Sequence, residues 1–349
     1  MEKQFSFKSD ELVSQLKKCR ENGITELTVH DSSIACDKAR LINFLKAVQK
    51  DAPELFVSIK ISPRTLDAEI VRMLSVLNCS VEMDFELSEK GFDKKFYAKK
   101  CALLNQAGLV FGVRLYYASG GSDSLKLFKE RLDFTLSQYP NHIDFPQTEK
   151  DDSSDSGGAA DGASVAGVSA AGSSTSGSST VVTGTFSAQD IRFARDIAFA
   201  CRTFYSAGRA VPWFNSVLAA LKIQGSAFFA DFAEWQRVNN CDFKSGYVPE
   251  TESHKNIEKM QVLFLDMKLE EKRKGQFLAA VNDMVRLNGA FSRLVAEGEE
   301  SVFETEYSPD DLLSPESMDI ASFVNDVCME HSSVSVFLNA DGEPDYKIL

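Results

Sequence analysis

Apolar and polar residues alternate with a period of two in five short segments of the first 150 residues. In 80–89, SVEMDFELSE, three apolar residues fall on one side and three carboxylates on the other. Because successive side chains of a strand point to opposite faces, the alternation predicts strands with one apolar face. The predicted strands are 24–30, 55–61, 80–86, 109–117 and 142–145.

Segments with helical periodicity separate these strands. They begin at residues such as Ser9, Asp37 and Asp93 and end near turn residues such as Gly23 and Gly108. Strands therefore recur about every 25–33 residues, which is typical of βαβ units in a parallel sheet with right-handed crossovers. The predicted helices are 9–23, 37–50, 66–77, 93–106 and 124–137.

The polar faces of these strands carry charges of both signs. A doubly wound sheet would bury both faces, and its strands would read as continuous apolar runs. A closed barrel would fill its interior with branched apolar residues. We therefore predict an α/β fold: a partial (βα) TIM-like barrel of parallel strands, open enough to keep a polar interior.

Charged groups in such an interior must pair with one another or bind a polar ligand, since leaving them buried and unpaired is unfavourable. A plain solvated sheet face without a site is the alternative, because one-sided sheets often alternate in this way. The predicted binding residues are Glu82, Asp84, Glu86, Arg114, Lys60 and His30, with Asp144 on the same face.

Composition changes abruptly after this region. Residues 151–185 are mostly Gly, Ser, Ala and Thr, which predicts a disordered linker between a domain at 1–150 and a helical domain at 186–349. In the second domain we predict a hairpin around Asp341-Gly342 near the end. The predicted helices there are 187–208, 211–223, 226–238, 254–287 and 315–330.

The net charge and the cysteines indicate which partners and which cellular compartment to expect. The chain of 349 residues has a net charge of −13, which disfavours binding to nucleic acid or to an anionic membrane. Its start lacks a signal-peptide pattern, and no apolar run is long enough for a membrane span. The 7 cysteines are widely spaced, as expected of free thiols in a reducing compartment. We expect a cytoplasmic protein.

Two stretches of the first region have the style of a known family. Gly-Ile-x-Glu-Leu at 23–27 leads into the strand that ends at Asp31, and Leu-x-x-Leu-Asn-Cys at 74–79 precedes the acidic strand. Residues 9–146 resemble the barrel of radical SAM enzymes from its second strand onward. The segments SAQDIRFARDIAFACRTFYSAGRAVPWF and SAFFADFAEW are similar to the helical extension of cobalamin-type radical SAM proteins.

The chain departs from that family at its cofactor motifs. It contains no C-x-x-x-C-x-x-C to hold a four-iron cluster and no D-x-H-x-x-G for cobalamin. The resemblance implies S-adenosylmethionine near the acidic strand and near Arg114 and the 119–122 turn, but no iron–sulfur cluster on this chain.

Two functional hypotheses follow. The first is a radical-SAM-like protein, not an enzyme on its own, that binds a small polar ligand or a partner protein. The second is one subunit of a split radical SAM enzyme, whose cluster and missing barrel segment lie on another chain.

Other chemistry for the same residues stays open. His30 and His142 fall on barrel strands, so a metal site with Asp144 or Glu82 is an alternative, although a structural ion pair is favoured. Glu82 and Asp84 could also act as the carboxylate pair of a glycosidase, but nothing else in the sequence indicates a sugar substrate.

Overall fold

The structure is a computed structural model that describes residues 9–88, 91–119, 123–146 and 185–349. The predicted linker lies outside the described residues except for Thr185, as do residues 120–122 of the predicted ligand turn.

The first region alternates strands and helices, as the sequence predicts. Its strands are β1 (Glu26–Val29), β2 (Phe56–Lys60), β3 (Cys79–Phe85), β4 (Val110–Leu115) and β5 (His142–Asp144). Its helices are α1 (Ser9–Glu21), α2 (Ser32–Ala35), α3 (Lys38–Asp51), α4 (Ala68–Leu74), α5 (Lys94–Gln106) and α6 (Leu125–Leu136).

Side-chain caps define where these helices begin. Asp37 and Asp67 each accept hydrogen bonds from two backbone N–H groups in the first turn of α3 and α4. Asp93 and Ser124 do the same for one N–H group at α5 and α6. Each cap satisfies donors that have no partner inside the helix, so the βα turns are set by local sequence.

The five strands form one parallel sheet in the order β1-β2-β3-β4-β5. Sequential order combined with right-handed crossovers places the connecting helices on one face, as in a barrel and unlike a doubly wound sheet. The apolar side of the strands is accordingly buried; its members include Val57, Ile59, Val81, Met83, Phe85, Phe111, Val113, Leu115 and Ile143. The α/β fold class is confirmed.

The second region is mostly helical. Its α-helices are α7 (Ala188–Cys201), α8 (Phe214–Leu221), α9 (Gly225–Asn239), α10 (His254–Glu271), α11 (Leu278–Glu297), α12 (Pro309–Leu312) and α13 (Ile320–Asp326). A π-helix, Arg202–Ala207, continues α7, and 3-10 turns cover Phe243–Ser245, Pro249–Thr251, Gly275–Phe277 and Pro315–Met318. A small antiparallel sheet contains β6 (Ser301–Thr305), β7 (Ser332–Leu338) and β8 (Pro344–Ile348).

Two predicted helices of this region need correction. The single helix expected at 254–287 is two helices, because Arg273 adopts a left-handed conformation (φ 55°) and the chain turns back so that α10 and α11 pack together. The helix expected at 315–330 is a 3-10 turn followed by the short α13. Strand β6 was not predicted, although the hairpin of β7 and β8 around Gly342 is confirmed.

The helical region packs directly on the last strand of the parallel sheet. Tyr205 Oη donates to the Pro140 carbonyl at 2.6 Å, and the Ile143 N–H donates to Ser206 Oγ at 3.0 Å. Buried apolar residues of both regions form one continuous core. No helix within the described ranges has both the length and the apolar content that crossing a bilayer requires.

Candidate functional site

The polar side of the parallel sheet carries two rows of residues in register. One row runs from Lys60 on β2 through Glu82 and Gly112 to His142 on β5. The next row lies two residues closer to the carboxyl ends of the strands and contains Asp84, Arg114 and Asp144. These residues form what we call the polar face, and most of them are partly sheltered from water.

Asp84 is the centre of the first charge cluster on this face. Lys60 Nζ lies 2.6 Å from Asp84 Oδ2, and Arg114 Nη1 lies 3.8 Å from Asp84 Oδ1. Tyr116 Oη donates to Asp84 Oδ1 at 3.3 Å. Burial and the charge of Asp84 raise the pKa of Tyr116, which keeps the phenol protonated as a donor. The Asp84 side chain is only 14% exposed, so its charge is balanced by these partners and little by water.

Two members of this cluster, Lys60 and Asp84, line a cavity of about 550 Å³ at the carboxyl ends of β1, β2 and β3. Ligands of parallel α/β sheets usually bind at this edge. The cavity combines charged, hydroxyl and aromatic groups; its lining includes His30, Lys60, Arg64, Asp84, Glu86, Ser88, Phe96 and Tyr97. Four of the six predicted binding residues therefore meet in one cavity.

Two of these four lie just beyond a strand instead of on it. β1 ends at Val29 and β3 at Phe85, so His30 and Glu86 belong to the loops that follow, and both are exposed. The Tyr97 hydroxyl bonds to the backbone N–H and carbonyl of Glu86 at 3.0 and 3.3 Å. This contact holds the start of the β3–α5 loop at the rim of the cavity.

Glu82 belongs to a different cluster. Its Oε1 makes an ion-pair contact with His142 Nε2, and Asp144 completes a group of three ligand-type side chains. Burial alone would lower the pKa of His142, but the hydrogen bond to Glu82 and the charges of Glu82 and Asp144 outweigh it, so the pKa is raised. Asp144 is exposed, but the protein around it partly desolvates its carboxylate, which raises its pKa, and the nearby Glu82 charge adds to the shift.

A second cavity, of about 630 Å³, lies between β5 and the helical region. His142 and Asp144 form one wall, and Arg202 and Ser206 of the π-helix contribute to another. The sequence indicates His142 and Asp144 only as possible ligands of an alternative metal site, and neither is among the six predicted binding residues. The helical wall was missed, because no sequence pattern indicates that residues 202–206 return to β5.

No protein-family model matches the sequence, and no curated protein matches it either. Among solved structures, a radical S-adenosylmethionine methyltransferase, TsrM, from Kitasatospora setae, with cobalamin and a 4Fe-4S cluster bound, is similar to this chain. The identity is 16% and the TM-score 0.34, over 40% of this chain and 31% of that one. A second TsrM structure, with tryptophan substrate and the SAM analogue aza-SAM bound, gives 16% identity and a TM-score of 0.33, over 40% and 30% of the two chains. This chain thus spans less than a third of TsrM, and likeness at this level carries no argument about activity.

Proposed function

We propose that the protein binds a small molecule with both a cationic and an anionic group in the cavity at the carboxyl ends of β1–β3. In this proposal the protein is radical-SAM-like, has no cluster of its own and is not an enzyme by itself. S-adenosylmethionine, which carries an α-amino acid group, is the first ligand to test.

One observation carries the proposal: Lys60 and Asp84, an ion pair that Arg114 supports from β4, line an open cavity of about 550 Å³ instead of bulk surface. Cavities of this size suit small ligands. A zwitterion can replace the ion pair between Lys60 and Asp84 with two new pairs. Its carboxylate then binds Lys60, and its ammonium group binds Asp84. Both charges then stay paired, which avoids the cost of an isolated buried charge.

The cavity also offers apolar and planar surface. Phe96 and Tyr97 line the same space, and Arg64 adds a second cation on the β2–α4 loop. Aromatic walls with a few charged groups are typical of sites for small organic ligands. A ligand with a ring and an amino-acid group fits this combination better than an inorganic ion does.

Calorimetric titration of the full chain tests the proposal. The probes are S-adenosylmethionine, S-adenosylhomocysteine, adenosine and the standard amino acids. We expect one of these to bind, with Lys60→Met and Asp84→Asn each weakening affinity at least about tenfold, since a charged hydrogen bond contributes roughly 1.5–3 kcal/mol.

The chain supplies a matched control. Lys38 and Asp67 form an ion pair of the same length, 2.6 Å, and neither residue lines the cavity. Lys38→Met and Asp67→Asn should leave ligand affinity unchanged. Absence of binding across the whole panel, or equal losses in the cavity and control variants, would contradict the proposal.

A second candidate function is a subunit of a split radical SAM enzyme. It is favoured by the edge of the sheet: among the described residues, β1 pairs only with β2. An unpaired edge can accept a further strand. Co-purification with a partner that carries C-x-x-x-C-x-x-C, and cleavage of S-adenosylmethionine only by the mixture, would favour this alternative over ligand binding by the single chain.

A further inference from the structure

The second cluster on the polar face has the composition of a metal site. Glu82, His142 and Asp144 each offer one ligand atom, and these atoms lie within 4.8 Å of one another. Ligands on a common ion at about 2.0–2.2 Å are separated by roughly 3–4.4 Å, so small side-chain rotations would bring them together. The three residues come from β3 and β5 of the parallel sheet.

Gly112 makes this meeting possible. It lies on β4 in register between Glu82 and His142. A Cβ atom at this position would lie 2.1 Å from His142 Nε2 and 2.5 Å from Glu82 Oε1. Any residue other than glycine would therefore occupy the space between the two side chains. Its φ is not in the left-handed region, so backbone conformation does not require glycine here.

One carboxylate oxygen of Glu82 has no hydrogen-bond donor among the described residues. The residue is only 7% exposed, and none of the described residues gives a hydrogen bond to its Oε2. A buried acceptor without a partner costs about 1–3 kcal/mol, and more when it is charged. The His142 contact uses Oε1 alone, so a structural ion pair accounts for only half of this carboxylate.

We propose that Glu82, His142 and Asp144 bind a divalent transition-metal ion at the wall of the cavity between β5 and the helical region. One imidazole and two carboxylates suit Mn²⁺, Fe²⁺ or Zn²⁺. The ion takes the place of the direct Glu82–His142 contact and satisfies the carboxylate. Three protein ligands leave coordination positions open toward the 630 Å³ cavity.

The surroundings hold the ligands in place. The Ile143 N–H, between His142 and Asp144, donates to Ser206 Oγ at 3.0 Å, which ties β5 to the π-helix Arg202–Ala207. Such π-helical segments occur frequently at functional sites. Gln261 Nε2 also donates to the carbonyl of Phe204 within the π-helix at 2.8 Å and to that of Gly208, just after it, at 2.9 Å.

This site is independent of the proposed ligand site. The two cavities share no lining residue. Metal binding can therefore fail while ligand binding succeeds, and the reverse also holds.

Electron paramagnetic resonance of Mn²⁺ titrated into chelator-treated full-length protein tests the inference. Mn²⁺ is the suitable probe because it avoids thiolates, and three of the cysteines are exposed. We expect one saturable site per chain. His142→Gln and Asp144→Asn should each weaken binding at least about tenfold, since even outer-shell changes at metal sites cost 10–100-fold.

Asp84→Asn is the matched control, because it removes a carboxylate from the same face but from the other cluster. It should retain the site. Asp144 is exposed, so its substitution tests the ligand set even where a change at buried Glu82 prevents folding. Absence of a saturable site, retention of affinity in both ligand variants, or an equal loss in Asp84→Asn would overturn the inference.

Discussion

His142 on β5 contacts the carboxylate of Glu82 on β3 across the intervening strand β4. The contact spans two strand spacings, about 10 Å between backbones, and exists only because Gly112 has no side chain. It divides the polar face into two clusters. In the first cluster, Asp84 pairs with Lys60 and Arg114, and Asp84 and Lys60 line the cavity at the strand ends. In the second, Glu82 lies with His142 and Asp144, and the latter two line the cavity beside β5.

Gly112→Ala should destabilise the protein. The new methyl group would lie within 2.1–2.5 Å of His142 and Glu82, so both side chains must leave their positions in a packed region. We expect a loss of about 1–3 kcal/mol in the free energy of unfolding, measured by urea titration followed by circular dichroism.

Gly275→Ala is the control for that change. A Cβ atom there meets only Leu278 Cδ1, at 3.9 Å, and the backbone is not left-handed. Its stability should stay within about 0.5 kcal/mol of the wild type or rise slightly. If both alanine substitutions changed stability equally, the missing side chain at Gly112 would not be what allows His142 and Glu82 to meet.

Asp123→Asn should be strongly destabilising. Asp123 and Arg131 are both fully buried, and Arg131 Nη2 donates to the two carboxylate oxygens at 2.8 and 2.9 Å. Neutralising Asp123 leaves a buried, uncompensated guanidinium, which costs about 3–5 kcal/mol. Chemical denaturation measures this loss.

Glu130→Gln provides the comparison on the same helix. Glu130 pairs with Lys126 at 4.0 Å on the exposed side of α6, where screening leaves little net stabilisation. Its free energy of unfolding should change by no more than about 0.5 kcal/mol. A loss below about 1 kcal/mol for Asp123→Asn would show that the buried pair is not required.

His254 should make stability fall as the pH falls. Burial, assisted by the charge of Arg209, lowers its pKa to about 4 from the ordinary value of 6.5. Its ring is fixed in neutral form: Nε2 donates to the Gly208 carbonyl and Nδ1 accepts from Arg293 Nη1. The charged groups around it are Arg209, Arg293, Glu258, Glu297 and Glu299.

The unfolded chain binds a proton at this histidine below pH 6.5, while the folded chain does not until about pH 4. The stabilisation is therefore complete above pH 6.5 and is lost as the pH falls toward 4, by at most about 3 kcal/mol. Buried Asp283, whose pKa is raised to about 6, acts in the opposite sense over the same range. The measurement is thus the difference between wild type and His254→Gln from pH 7 to 4; a constant difference would contradict the prediction.

Thiol reactivity should separate the cysteines by position. Burial raises the pKa of Cys79 to about 11 and of Cys101 to about 12, and that of buried Cys201 is raised as well. Cys36, Cys241 and Cys328 are exposed. Brief treatment with iodoacetamide, followed by peptide mass spectrometry, should label the exposed three in the native protein and the buried three only after unfolding. Rapid native labelling of Cys101 would argue against the packing of α5 on the sheet.

Sequence periodicity predicted much of the candidate site. The alternation in β3 correctly placed Glu82 and Asp84 on one face, and the matching patterns in β2 and β4 added Lys60 and Arg114. It did not separate Glu82 from Asp84, because period-two reasoning assigns residues to faces but not to partners. That separation depends on register, which puts Asp84 opposite Arg114 and Glu82 opposite a glycine.

The sequence by itself determined the parallel α/β region, the polar side of its strands and several of the caps that begin its helices, such as Asp37 and Asp93. These features depend on residues close together in the chain, so hydrophobic period and side-chain capping are enough to specify them. Tertiary structure decided where α10 ends and α11 turns back, that Gly112 clears a path between two strands, and that the π-helix closes a cavity against β5. Such features arise from contacts between residues distant in the chain, whose free energy comes from packing that no local pattern records.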